Sequence, residues 1–423
     1  MKETSKRFDD RAAMAIFAKG AIDAATLLSA PERIVPLVRQ MCRDKARLTL
    51  EQRHLYSYSK TCRDSRDALY AAMHWIIEGQ RPDGGIAAYY SLLSGYAESY
   101  PEVTGYIVPT LYDFENVIGD GWAKAAAERA TAWLLTLQMP TGAFPAGLAG
   151  TSAGPSVFNT GQILFGLSRA YAETHRSEIL NAARRAGDWL ISSQDANGAW
   201  SGPASYQGRS HTYYSMVAWA LADLSRHCED DRYAIAAIRH LDWALTHFQP
   251  SGWIDGINLQ GHPNYLHFIA YAIQGVLECG VLCGRSDAVE HAATTARVLL
   301  RKFETNKFLC GSYDDDFSSG QRFTCVTGNA QMSCVWLRLY LETDDVRYLN
   351  AALKLNEFIK RLMPRAGRGM AGGIPGSYPI WGRYQPLRYI SWGAKFFADA
   401  LMLEQRAKNS FESIETEALA CAS

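Results

Sequence analysis

Arg209, His211, Tyr213 and Tyr214 fall within six residues, in the stretch Arg209-Ser-His211-Thr-Tyr213-Tyr214. A guanidinium pairs with a carboxylate in bidentate fashion, and a neighbouring imidazole or phenol can remove the proton α to that carboxylate. The chemistry expected of Arg209, His211 and Tyr213 is therefore eliminative, on a uronate-like group. Asn159, one repeat earlier, would bind the developing enolate. The alternative is structural, with His211 at a helix start and the tyrosines packed inside.

Carboxylates offer a second chemistry, because glycosidic hydrolysis normally needs an acid and a base or nucleophile about 5 to 10 Å apart. Glu102 and Asp315 are the expected pair, with Asp255, Asp314 and Asp316 as further acids. Three adjacent aspartates repel one another, so at least one is expected to meet a cation; a solvated loop is the alternative. Asp83, in Pro82-Asp83-Gly84-Gly85, has the position of a turn residue.

Sugar hydroxyls need hydrogen bonds and sugar faces are apolar, so amides, imidazoles, guanidinium groups and rings suit them together. Tyr89, His262, Asn264, His267, Asn329, Gln331, Arg383, Trp392 and Lys395 are the expected binding residues. His262 and His267 are five apart, not the i, i+4 of helical zinc ligands, and Cys279 and Cys283 lack further partners. No metal and no cofactor is expected, and the chain has no Gly-x-Gly-x-x-Gly after a strand and no Walker loop, Cys-x-x-Cys or His-Glu-x-x-His.

The elements that must position these residues come from a repeat. Trp75, Trp133, Trp189 and Trp243 lie 58, 56 and 54 residues apart, and Gln80, Gln138, Gln194 and Gln249 follow them. Behind each Gln comes a Pro-, Asn- or Gly-containing turn that ends a helix. A loop of roughly 15 to 20 residues then leads to a more apolar helix, starting near Thr104, Asn159, His211, Asn264, Thr327 and Ser391. With two weaker copies from Glu304 and Phe358, the chain reads as six units, each with one outer and one inner helix. Six units without a polar cap predict a closed all-α (α/α)6 toroid over 66–405, with an open solenoid as the alternative. The recurring Trp and Gln are expected to be scaffold, the Gln tying its turn to a neighbour. Residues 1–65, with 13 Lys plus Arg against 8 Asp plus Glu, read as an N-terminal helical extension, and 406–423 as a flexible tail. In such a toroid the loops before the inner helices converge on one end of the cavity, where the residues named above would meet.

The Gln-x-x-x-Gly-(Ala/Gly)-(Phe/Trp/Ile) turns at 80, 138 and 194 resemble the repeat of the squalene cyclase and protein prenyltransferase superfamily. The six-hairpin layout equally resembles uronyl hydrolases, toroidal polysaccharide lyases and sugar 2-epimerases. Cys325-Val-Thr-Gly-Asn-Ala-Gln331 with Trp336, Gly372-Gly-Ile-Pro-Gly-Ser377 and Ser391-Trp-Gly-Ala-Lys-Phe396 look like uncharacterised toroid proteins of bacterial exopolysaccharide loci. The Asp-x-Asp-Asp of protonating cyclases and the Asp-x-Cys of zinc prenyltransferases are absent, which disfavours isoprenoid chemistry.

Composition narrows the classes further. The 423 residues carry 43 basic and 43 acidic side chains, so there is no basic footprint for nucleic acid. No apolar run reaches the roughly 18 residues of a membrane span. The early stretch Ala12 to Ala30 is broken by Lys19 and Asp23, and nine scattered cysteines read as reduced thiols, so a cytoplasmic protein is expected. The reading is an enzyme that cleaves or modifies a glycosidic linkage in a bacterial oligo- or polysaccharide, as hydrolase or uronate lyase. The alternatives are an isoprenoid cyclase or transferase, and a non-catalytic glycan-binding protein.

Overall fold

The computed structural model describes residues 34–51, 63–151, 153–321 and 323–422. Helix α1 spans Ile34–Glu51. Outer and inner helices then alternate: α2 (Ser65–Glu78) and α3 (Pro101–Ile118), α4 (Trp122–Leu137) and α5 (Val157–Thr174), α6 (Ser177–Ser192) and α7 (Ser215–Ser225), α8 (Arg232–Leu245) and α9 (Leu266–Leu282), α10 (Ser286–Asn306) and α11 (Val326–Thr343), α12 (Val346–Leu362) and α13 (Ser391–Ala422). Short strands lie in the long loops: β1 (Tyr89–Ser91), β2 (Gly95–Tyr96), β3 (Thr324–Cys325), β4 (Ser377–Tyr378) and β5 (Arg388–Ile390).

Residue pattern explains the two rings. Along α8 the buried residues are Tyr233, Ala236, Ala237, His240, Leu241 and Ala244, one stripe at helical spacing. In α11 every residue from Val326 to Leu337 is buried, as an inner helix covered on all sides requires. Helix α7 begins later than its sequence suggests: His211 precedes a 3₁₀ turn at Thr212–Tyr214, and the α-helix opens at Ser215.

The inner helices pack in sequence, α3 on α5 and so on to α13, which returns to α3 to close the ring. Each inner helix from α3 to α11 packs on the outer helix that follows it, across a short connection. The sequence had paired each outer helix with the inner helix after it. The sixth pair is therefore built from both ends of the chain, α13 against α2. Strand β1 pairs antiparallel with β5, Tyr90 opposite Tyr389, across the same closure. Trp75 Nε1 donates to the Gly369 carbonyl at 2.8 Å, and the buried Glu404 accepts from Ser65 Oγ and Asn356 Nδ2, both at 2.8 Å.

The repeated glutamines are scaffold of a specific kind. Gln138 Nε2 donates to the Gly142 carbonyl in its own turn and to the Ala182 carbonyl of the next outer helix, at 3.0 and 2.8 Å. Gln80 does the same with Gly84 and Ala126, and Gln194 with Gly198 and Ala236. Arg129, Arg185 and Arg239 of the next helix cap the Gln oxygens. The turn glycines 84, 142 and 198 have positive φ, and a Cβ on any of them would collide with the backbone of that helix. Gln249 departs, bonding Asp255 instead.

Of the N-terminal extension, α1 buries Leu37, and Asp44 accepts from the Ile380 amide at 2.9 Å, which docks α1 on the loop before α13. Residues 1–33 and 52–62 lie outside the described residues. At the other end, the segment read as a tail from 406 continues α13, with Ala407 buried in the core. Among the described residues no helix is long and apolar enough to cross a membrane.

Candidate functional site

Glu102 sits in the first turn of α3, where Pro101 supplies the fixed φ that starts a helix. Its side chain is buried, with the Tyr100 hydroxyl donating to Oε2 at 2.6 Å and the Tyr206 hydroxyl close by. Burial pushes the carboxyl up to about 7, against the two tyrosine hydrogen bonds, which favour the charged form. The Tyr206 hydroxyl also reaches Asn159 Oδ1 at 3.3 Å, so loop and helix converge on this carboxyl. Tyr100, Tyr106, Tyr213, Tyr271 and Tyr384 are all held well above the ordinary phenol range, chiefly by burial, and stay protonated.

Beside this carboxyl lies an aromatic and amide cluster on the toroid axis. Tyr106, one turn along α3, pairs with Tyr271 of α9, and Phe396 of α13 lies 6.0 Å from Tyr106 and 5.7 Å from Tyr271. His267 Nδ1 meets Gln331 Oε1 at 2.5 Å, and burial depresses the imidazole to about 3, so it is neutral. Gln331 in turn reaches Gln274 at 3.4 Å, and Trp392 Nε1 donates to the Tyr384 hydroxyl at 2.9 Å.

Tyr106, Gln274 and Phe396 also form one limit of a cavity of about 600 Å³ that all six inner helices line. Gln162 contributes from α5, Phe165 and Trp219 form an edge-to-face pair 4.7 Å apart, and Lys395 pairs with Asp399 at 2.6 Å. Thr110 Oγ1 donates to Asp399 at 2.7 Å. The cavity continues past Asn116 and Val117 in the last turn of α3 to Arg406 and Asn409.

The residues singled out from sequence separate into three groups. Glu102, Asn159, His267, Gln331, Trp392 and Lys395 are buried, and of these Lys395 lines the axial cavity. His211 and Tyr213 are buried as well: His211 Nε2 lies 3.1 Å from the Tyr206 carbonyl, so that nitrogen carries a proton and donates. Burial, with Arg209 adding to it, lowers the His211 pKa, and its ring stacks on Tyr213 at 5.0 Å. Tyr213 stacks in turn on Phe268. Asn329 is buried but donates to Thr324 Oγ1 and the Cys325 carbonyl, fastening the start of α11.

The third group stays at the periphery. Arg209, His262 and Arg383 are exposed. The Arg388 guanidinium lies 4.1 Å over the Tyr89 ring at the β1–β5 closure. Asp315 is exposed on a turn in which Asp316 Oδ1 accepts from the Ser318 amide, and it shares a shallow pocket with Asp255, Asp314 and Asn264. Glu102 and Asp315 therefore occupy different environments, one buried among tyrosines and one in solvent. Among the described residues no three His, Cys, Asp or Glu side chains are placed to hold a metal.

Tyr206, Tyr271 and Asp399 were not read from the sequence. Tyr271 is four residues beyond His267 and Asp399 four beyond Lys395, so helical spacing from a named residue would have found both. Tyr206 carries no such signal, because it arrives on a loop.

The architecture defines the chain as an (α/α)6 toroid, and solved structures share it. An unsaturated glucuronyl hydrolase specific for heparin superposes with a TM-score of 0.65 at 16% identity, over 82% of this chain and 98% of that one. The unsaturated glucuronyl hydrolase of Bacillus sp. GL1 gives 0.63 at 15%, over 80% and 96%. The cellobiose 2-epimerase of Spirochaeta thermophila DSM 6192 gives 0.66 at 15%, over 82% and 97%. At these identities the likeness is one of fold. No family model and no curated protein matches the sequence.

Proposed function

We propose that the protein is a carbohydrate-active enzyme that hydrolyses a glycosidic linkage, with Glu102 as its proton-transferring group. The observation that carries this reading is the Glu102 carboxyl itself, buried on the axis with its pKa at about 7 and Tyr100 and Tyr206 in hydrogen-bonding position. A carboxyl that is half protonated near neutral pH can both donate and recover a proton. In this reading Glu102 protonates the bridging oxygen as the bond to the anomeric carbon breaks. A water oxygen then bonds that carbon, and the water's proton returns to the carboxylate. Tyr106 and Tyr271 flank the reacting sugar, and the protein serves oligo- or polysaccharide metabolism. The fold likeness to glucuronyl hydrolases and sugar epimerases supports the substrate class without fixing it.

The eliminative reading is less well supported, since Arg209 is exposed and His211 Nε2 is tied to the Tyr206 carbonyl. One observation favours a second reading. Phe165, Met216, Trp219 and Met402 give the cavity extensive carbon walls with Asp113 and Asp399 among them, which would suit an isoprenoid. The Gln162 and Gln274 amides and the Lys395–Asp399 pair on the same wall favour a saccharide. Incubation with a panel of neutral and acidic glycans, followed by an assay for new reducing ends, tests the proposal. Cleavage by the wild type that Glu102→Gln abolishes is the expected result, and cleavage retained in Glu102→Gln contradicts it.

A further inference from the structure

The axial cavity does more than adjoin Glu102. Gln162 lines it from α5, is fully buried, and has neither its amide nitrogen nor its amide oxygen hydrogen-bonded within the protein. A buried amide without partners costs free energy, and such groups are rare unless a ligand completes them. One Gln offers a donor and an acceptor side by side, which a pair of vicinal hydroxyls can satisfy together. Phe165 and Trp219 present an apolar corner on the same wall, suited to the carbon face of a sugar ring.

Charge sets the class of sugar. Lys395, the buried cation of the wall, is held by Asp399 at 2.6 Å. Asp113 is held by Arg169 at 2.6 Å and Glu278 by Arg338 at 3.2 Å, both from outside the cavity lining. The other lining cation, Arg406, is exposed at the rim. Among the described residues, a uronate carboxylate brought to Gln162 would meet no free cation and would face Asp113, Asp399 and Glu278, an unfavourable transfer into a partly apolar site.

The way in is equally specific. At the end carrying the long loops, Tyr100, Glu102 and Tyr206 converge, while the cavity runs to Asn116 and Val117 in the last turn of α3 and to Asn409 midway along α13. Resting on the glycan reading above, we propose that the cavity is the binding site of a neutral saccharide that enters from the short-connection end of the toroid, with Gln162 as a hydrogen-bonding group of its wall.

Trp219 in the cavity wall supplies the probe: its fluorescence is titrated with maltose, lactose and cellobiose, with a glucuronic-acid-terminated disaccharide, and with farnesol. The wild type is compared with Gln162→Leu, with Val117→Trp at the rim, and with Trp219→Phe as the signal control. The expected result is a response to at least one neutral disaccharide, weakened about tenfold or more in Gln162→Leu and weakened in Val117→Trp, with the acidic disaccharide at least tenfold poorer. The thermal midpoint of Gln162→Leu is expected to stay level or rise, which separates a ligand role from a folding role. Unchanged affinity in both variants, preference for the acidic sugar, or a response to farnesol alone overturns the inference. If Glu102→Gln abolishes cleavage while Gln162→Leu keeps its KM, the inference fails and the Glu102 assignment stands. If Gln162→Leu loses sugar binding while Glu102→Gln still cleaves, the reverse holds.

Discussion

The Tyr100 hydroxyl and Glu102 Oε2 lie 2.6 Å apart across the start of α3, with Glu102 buried and Tyr100 half-buried. The hydrogen bond favours the ionised carboxyl, burial favours the neutral one, and burial wins, leaving the group near 7. Proton transfer at neutral pH and instability at higher pH follow from the same balance.

For stability the sign is definite. A carboxyl with a raised pKa in the folded state favours folding most below about 4.5, and that contribution is lost as the pH rises through about 7. Glu102→Gln keeps the shape without the titration. Above pH 8 the variant is expected to be more stable than the wild type by on the order of 3 kcal/mol. Urea unfolding at pH 5 and pH 8.5 checks this, and equal pH slopes in the two proteins would refute it.

Two buried imidazoles act in the opposite sense. His267 and His240 are both depressed to about 3 by burial, His240 with Nδ1 2.9 Å from the Gly198 carbonyl. Their neutral forms suit the fold, so stability is full above about pH 6.5 and falls as the pH drops toward 3. His240→Asn, which preserves a Nδ1-like donor, is expected to flatten the acid limb by on the order of 3 kcal/mol between pH 6.5 and 4. Thermal midpoints across that range measure it.

The glutamine ties give a stability series. Gln138→Leu removes two hydrogen bonds joining a turn to the next outer helix and is expected to cost about 2 kcal/mol. Gly142→Ala is expected to cost more, because φ is +94° there and a Cβ would strike the Arg185 carbonyl. The same substitution at Gly150, also at positive φ but with open space around it, is the control. A smaller loss at Gly142 than at Gly150 would contradict this account of the repeat.

Ring closure depends on contacts between the chain ends. Glu404 of α13 is buried between Ser65 of α2 and Asn356 of α12. Glu404→Ala leaves those donors without their acceptor, and a loss of about 3 kcal/mol is expected. Faster amide exchange confined to α2, α12 and α13 would show that the closure loosens first; a uniform change around the ring would count against it.

The repeat was legible because it is local. Trp-x4-Gln followed by a Gly turn marks where each outer helix stops, and the structure shows Gln80, Gln138 and Gln194 making one and the same tie. The pairing of α2 with α13 was not legible, since closure joins residues at opposite ends of the chain and leaves no periodic trace. Glu102 could be read as an acid at a loop–helix junction, but its hydrogen-bond partner Tyr206 is delivered by a loop two repeats on. The Asp314 to Asp316 run was conspicuous in sequence for the reason it lies outside: aspartates form turns, and Asp316 does so with Ser318.

Proton transfer by Glu102 in the cleavage of a glycan is open to direct test. The most direct measurement is the rate of new reducing ends from the best wild-type substrate, taken from pH 5 to 9 with wild type and Glu102→Gln. Wild-type activity is expected to fall as the pH rises through about 7, and kcat to be lower by about 10² to 10⁴-fold in the variant with KM little changed. A variant that retains wild-type kcat, or a wild-type rate indifferent to pH between 6 and 8, would contradict it.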